Sequence, residues 1–150
     1  MKCRGPLVIG VGALVSLGLL TVEPAHSGQQ GGIVRCPLGL ATLKGLYMFA
    51  QSGSIIGLGP QGVTGKSIFY GNGAFDSLAT ISTNGVISVA PAPGTYTINS
   101  DCTGTVTVEM PSPPGDVHLD IFVTPDGSEI FTIETDPGTV LAGTERRVAP

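Results

Sequence analysis

The chain has 150 residues, a formal net charge of −4, 23 glycines, 12 prolines and three cysteines. That length fits one domain with a single modest core. The acidic balance, with no basic cluster beyond Arg146-Arg147, argues against nucleic acid or an anionic membrane as a partner, because clustered Lys and Arg hold both.

The first segment reads as a leader. Lys2 and Arg4 precede an apolar run over residues 7–20, and Ala25-His26-Ser27 supplies small residues where signal peptidase cuts. Residues 1–27 are therefore read as a signal peptide cleaved after Ser27, followed by one secreted or periplasmic domain over residues 28–150. The apolar run has about 14 residues where a spanning helix needs ~20, so no membrane insertion of the mature chain is expected. Cys3 leaves with the leader. Cleavage also removes Lys2, Arg4 and Glu23, which brings the formal charge to −5. Two cysteines remain, Cys36 and Cys102, and an exported chain with two cysteines has one possible internal pairing. A disulfide is expected. No C-x-x-C spacing occurs and His118 is the single mature histidine, so nothing points to a metal or a redox pair.

In chain order, residues 28–32 are a polar leader and residues 33–40 carry Cys36 and Pro37 towards the first strand. Residues 43–51 alternate, with Leu43, Gly45, Tyr47 and Phe49 on one side. Residues 52–65 are rich in glycine and hold Pro60, and read as a loop with at most a short strand. Residues 66–70 and 74–82 are predicted strands. Their three-residue connection, Gly71-Asn72-Gly73, sets Phe69 opposite Phe75. Asn84-Gly85 is a two-residue turn signal, because both central positions of a type I′ turn need positive φ. It leads into residues 86–90. Pro91-Ala92-Pro93 then reads as an interruption of the ladder, since proline cannot donate to it.

Residues 95–98 and 105–108 alternate threonine with larger apolar residues around a polar loop that holds Cys102. Tyr96, Ile98, Val106 and Val108 share one face of this hairpin, and Thr95, Thr97, Thr105 and Thr107 share the other. Residues 111–115 form a second proline-rich interruption before a strand at 117–124. Asp126-Gly127 turns that strand into residues 129–135, and Asp136-Pro137-Gly138 turns again into residues 139–146. No segment of ten residues or more has a helical period. The chain is read as all-β: an antiparallel meander of about eight strands closed into a small barrel, which removes its edges. A β-sandwich is the alternative.

The run from Gly94 to Thr105, with Leu43-Lys44-Gly45-x-Tyr47-x-Phe49 before it, resembles a group of small secreted bacterial proteins of uncharacterised function over most of the mature chain. Its architecture is similar to the calycin and allene oxide cyclase type of barrel. The resemblance implies a barrel fold and export. No catalytic motif of the cyclases is present to carry over, so catalytic residues stay unknown and no cofactor is assigned.

Three side chains are candidates for a ligand site. A two-residue turn at Asp126-Gly127 pairs Val123 with Ile130, Ile121 with Thr132 and Leu119 with Glu134, which puts Glu134 on the inner face. There a carboxyl has its pKa raised and can act as an acid or base. Tyr47 and Tyr96 are inward by the same alternation, offering hydroxyls to a ligand or only filling space. His118 and Asp120 point outward from the apolar face of their strand. Three function classes follow: a secreted barrel binding a small apolar molecule, a barrel isomerase or cyclase, and a structural or cell-surface module with a filled core.

Overall fold

The computed structural model describes residues 34–110 and 115–150. The expected signal peptide, its cleavage site and the prolines at 111, 113 and 114 lie outside the described residues. Eight antiparallel strands follow one another around a closed barrel: β1 Lys44–Ile55, β2 Gly59–Tyr70, β3 Ala74–Thr83, β4 Val86–Tyr96, β5 Thr103–Val108, β6 Val117–Val123, β7 Glu129–Glu134 and β8 Thr139–Ala149. Each pairs with the next, and β8 pairs with β1 from Ile55↔Thr139 to Leu46↔Ala149, which closes the barrel. The sandwich alternative is excluded by that closure.

Local chemistry explains most of the turns. Asn84 (φ 47°) and Gly85 (φ 85°) both take the left-handed conformation that a two-residue hairpin requires. The Gly71-Asn72-Gly73 loop sets Phe69 against Phe75, their rings stacked at 5.1 Å. In the β4–β5 hairpin Tyr96 faces Val106 inside, while the Thr97 and Thr105 hydroxyls meet outside at 2.8 Å.

Residues 52–65 are not a loop: β1 runs on to Ile55 and β2 begins at Gly59, with Gly53 paired to Gln61 and Gly65 to Phe49. Two of the glycines that suggested a loop, Gly53 and Gly65, sit inside strands where backbones crowd. A Cβ on Gly53 would lie 1.7 Å from the Val140 carbonyl oxygen, and one on Gly65 would lie 2.2 Å from that of Leu78.

Pro91 and Pro93 do not interrupt β4 either, for they pair with Leu78 and Asp76 of β3. The Pro93 carbonyl accepts from the Glu109 N–H at 2.9 Å, so odd-numbered residues of β4 direct their backbone polar groups towards β5. On that side the ladder holds only from Gly94 to Tyr96. Even-numbered residues of β4 carry its ladder to β3, as in the Tyr96 N–H to Gly73 O bond at 2.9 Å, so the missing proline N–H groups take nothing from that ladder.

The β6–β7 connection differs in length from expectation and agrees in register. Thr124 N–H donates to Glu129 O at 3.0 Å, which leaves four loop residues, Pro125 to Ser128, instead of two. Adding one residue to each arm preserves parity, so Val123↔Ile130, Ile121↔Thr132 and Leu119↔Glu134 stand as expected.

One end of the barrel is plugged. A 3-10 turn, Gly39–Thr42, crosses it, with Thr42 and Leu43 buried beneath. Cys36 and Cys102 are joined by a disulfide, with Cα atoms 5.1 Å apart, and the Cys36 N–H donates to Ser100 O at 3.0 Å. Above the plug, Tyr47, Phe69, Phe75 and Tyr96 form a packed aromatic layer with ring centroids 5.1–5.2 Å apart.

Candidate functional site

Beyond the aromatic layer the interior changes character. The inward residues of β3 and β4 there are Ser77, Ala79, Ser88, Ala90 and Ala92, which are too small to reach the barrel axis. The result is a cavity of about 800 Å³ that opens at the end opposite the plug, where Ile55, Leu58 and Pro137 stand. Its walls are mostly apolar, with Phe49, Val63, Ile81 and Leu141 among them. This is the size and lining of a small-molecule site.

Polar groups are set into this wall. Gln51 Nε2 donates to Thr132 Oγ1 at 3.0 Å. One layer deeper lies Glu145 of β8, paired with Phe49 of β1 and Ile130 of β7. It is only 8% exposed, and its Oε2 is buried without a hydrogen-bond partner. Burial among apolar groups pushes its pKa up to about 7, and the Ser67 hydroxyl offsets part of that rise. An unpaired buried carboxyl is uncommon, because desolvation without a partner is costly, so such groups concentrate at functional sites.

Sequence reading missed Glu145. The signal was available in the alternation of β8, where Leu141, Gly143 and Glu145 share one face, but Glu145-Arg146-Arg147 looks like a solvated charged run. Arg146 is indeed exposed and pairs with Glu129 at 2.9 Å.

The three candidates named from sequence go to different places. Glu134 is half-buried on the cavity wall near the mouth, and desolvation raises its pKa while a Thr139 hydrogen bond opposes the rise. Tyr47 and Tyr96 point inward but belong to the packed layer beneath the cavity. Tyr96 Oη donates to the carbonyls of Leu40 (2.9 Å) and Leu43 (3.1 Å), fastening the plug. Tyr47 Oη donates to Gly127 O and accepts from Arg147 Nε at 3.0 Å. His118 is exposed at the mouth, its Nδ1 2.8 Å from Asp136 Oδ1, and its backbone N–H also donates to Asp136.

Arg147 is a fastening of the closed end. Its Nη2 donates to the carbonyls of Thr42, Asp126 and Gly127 at 2.9–3.0 Å, and its guanidinium lies 5.5 Å from the Tyr47 ring centroid. One side chain thus ties together the plug, the β6–β7 loop and β8. We expect Arg147→Ala to lower stability by roughly 2 to 4 kcal/mol, since several carbonyls lose a charged donor together. Arg147→Lys should recover only part of this, because an ammonium cannot reproduce the fork. Urea denaturation of both variants checks the ranking; a neutral Arg147→Ala would remove this network from the account of the closed end.

Comparison with protein families, with curated proteins and with solved structures gives no match to this chain. Of the expected likeness to calycin and allene oxide cyclase barrels, what the structure shows is a closed antiparallel barrel of eight strands.

Proposed function

We propose that this chain is an exported barrel that binds a small, largely apolar molecule in its interior. The observation that carries this reading is the open-ended cavity of about 800 Å³ above a sealed aromatic floor. A packed interior would have favoured the structural module instead. Export is supported by the leader-like composition of residues 1–27 and by the Cys36–Cys102 bridge, which suits an oxidising compartment. A second reading, a barrel isomerase or cyclase, has one specific observation behind it. Glu145 is a buried carboxyl with a pKa near neutrality, the property a general acid or base needs.

The test of the binding reading is titration with the neutral dye N-phenyl-1-naphthylamine. Fluorescence should rise and saturate at one dye per chain. Ala79→Trp, which places an indole in open cavity space, should weaken the dye by at least about tenfold without loss of stability. Absence of saturable dye binding by the folded protein would overturn the binding reading.

A further inference from the structure

The charges on the cavity wall all have one sign. Among the described residues four carboxyl groups line it, Asp116, Glu134, Asp136 and Glu145, and no Lys or Arg does. Three stand towards the mouth. Asp136 there is held by His118, which leaves Asp116 and Glu134 as the carboxyls without a basic partner. The fourth, Glu145, lies deep. It is separated by six residues of β8 from Thr139 at the mouth, or about 20 Å at ~3.3 Å per residue.

Glu145 is what makes this more than an acidic rim. It is more than nine-tenths buried, it lines the cavity, and its Oε2 has no hydrogen-bond partner among the described residues. The groups that face it are Tyr47 and Phe49 of β1, Ser67 of β2, and Ile130 and Thr132 of β7. None is basic. The nearest guanidinium, Arg147, is spent on Tyr47 and the carbonyls of the closed end. A cation entering this space meets a path of like attraction and, at its foot, a carboxylate oxygen that no described residue satisfies. An anion meets repulsion throughout.

Resting on the reading of the barrel as a binder of apolar molecules, we propose that its ligand is a hydrophobic amine, with the protonated nitrogen seated on Glu145 and the apolar body filling the cavity above. A cation binds the ionised form of Glu145 and not the protonated one. Binding therefore releases a proton from Glu145 near neutrality, and affinity for the amine should increase as pH rises through that range.

Competition against the bound naphthylamine dye tests this with three probes of one chain length: decylamine, decanol and decanoate. At about pH 8 decylamine should displace the dye at least about tenfold better than decanol, and decanoate should be the poorest. Glu145→Gln should bring decylamine and decanol within about threefold of each other, each displacement being referred to that protein's own dye affinity. The decylamine preference in the parent should shrink between about pH 8 and pH 6, and the Glu145→Gln protein should lack that part of the change, which separates Glu145 from His118 and the mouth carboxyls.

Equal displacement by all three probes, or preference for decanoate, would overturn the amine assignment while the apolar site stands. A decylamine preference that survives Glu145→Gln would overturn the role of Glu145. Absence of dye binding in the parent would bring down the binding reading and this one with it. Should Glu145→Gln not fold, the probe order and its pH dependence in the parent still decide.

Discussion

Glu145→Gln is expected to be more stable than the parent at about pH 8, by about 3 kcal/mol, and no more stable at about pH 4. The parent carboxyl has its pKa raised from an ordinary 4.5 to about 7 by burial. A raised carboxyl pKa means the folded chain holds the proton longer than the unfolded chain does. The sign follows from that. The contribution is fully present below the unfolded value and is lost as pH rises from about 4.5 through about 7. Above that window the fold contains a buried charge with the Ser67 hydroxyl beside it and no basic partner among the described residues, which Gln does not.

Urea midpoints measured across the range check the claim. Glu134→Gln should bend the profile in the same direction and less, since Glu134 is only half-buried and receives a Thr139 hydrogen bond. If the difference between Glu145→Gln and the parent did not change with pH, Glu145 would be solvated and the cavity floor would have to be redrawn. A residue that weakens the free protein at neutral pH and yet occupies a buried position on the cavity wall fits a site shaped for a ligand at the expense of stability.

Removing the disulfide should have the largest effect on stability. Cys36 and Cys102 are 66 residues apart, and in the chain-entropy account closing a loop of that length stabilises by about 4 kcal/mol through the unfolded chain. The bridge also anchors the segment that seals the barrel, because the Leu40 and Leu43 carbonyls that receive Tyr96 Oη follow Cys36 closely. Paired substitution Cys36→Ala with Cys102→Ala avoids a stray thiol. Its denaturation midpoint should fall by an amount matching a loss of about 2 to 5 kcal/mol, while the far-UV spectrum stays β-like. A parent whose midpoint ignores reductant would mean that the native protein lacks the bridge.

Local backbone chemistry made much of the barrel legible. Alternation assigned the faces of β5, β6 and β7, and Asn84-Gly85 and Gly71-Asn72-Gly73 marked turns that need positive φ. Even a misjudged loop length at Pro125 to Ser128 left the register intact, because parity alone decides which face a residue takes. Where reading by residue type failed, tertiary crowding had overruled it. Gly53 and Gly65 lie in strands because neighbouring backbones leave no room for a side chain. Pro91 and Pro93 lie in β4 because their N–H positions face away from β3, the strand that β4 pairs with along its length.

By itself, then, the sequence determined an all-β meander with known inner and outer faces and an inward Glu134, and, with the leader read as removed, one cysteine pairing. Those properties depend on spacing of two along a strand, on φ at a few glycines and on counting. Only the tertiary structure decided that β8 closes on β1, that the segment after Cys36 seals one end, and that small residues on β3 and β4 leave a cavity towards the other. It also decided Glu145. A glutamate beside two arginines is read as solvated, and it becomes the buried foot of a cavity only because closure sets Phe49 on one side of it and Ile130 on the other, contacts made between residues far apart in the chain.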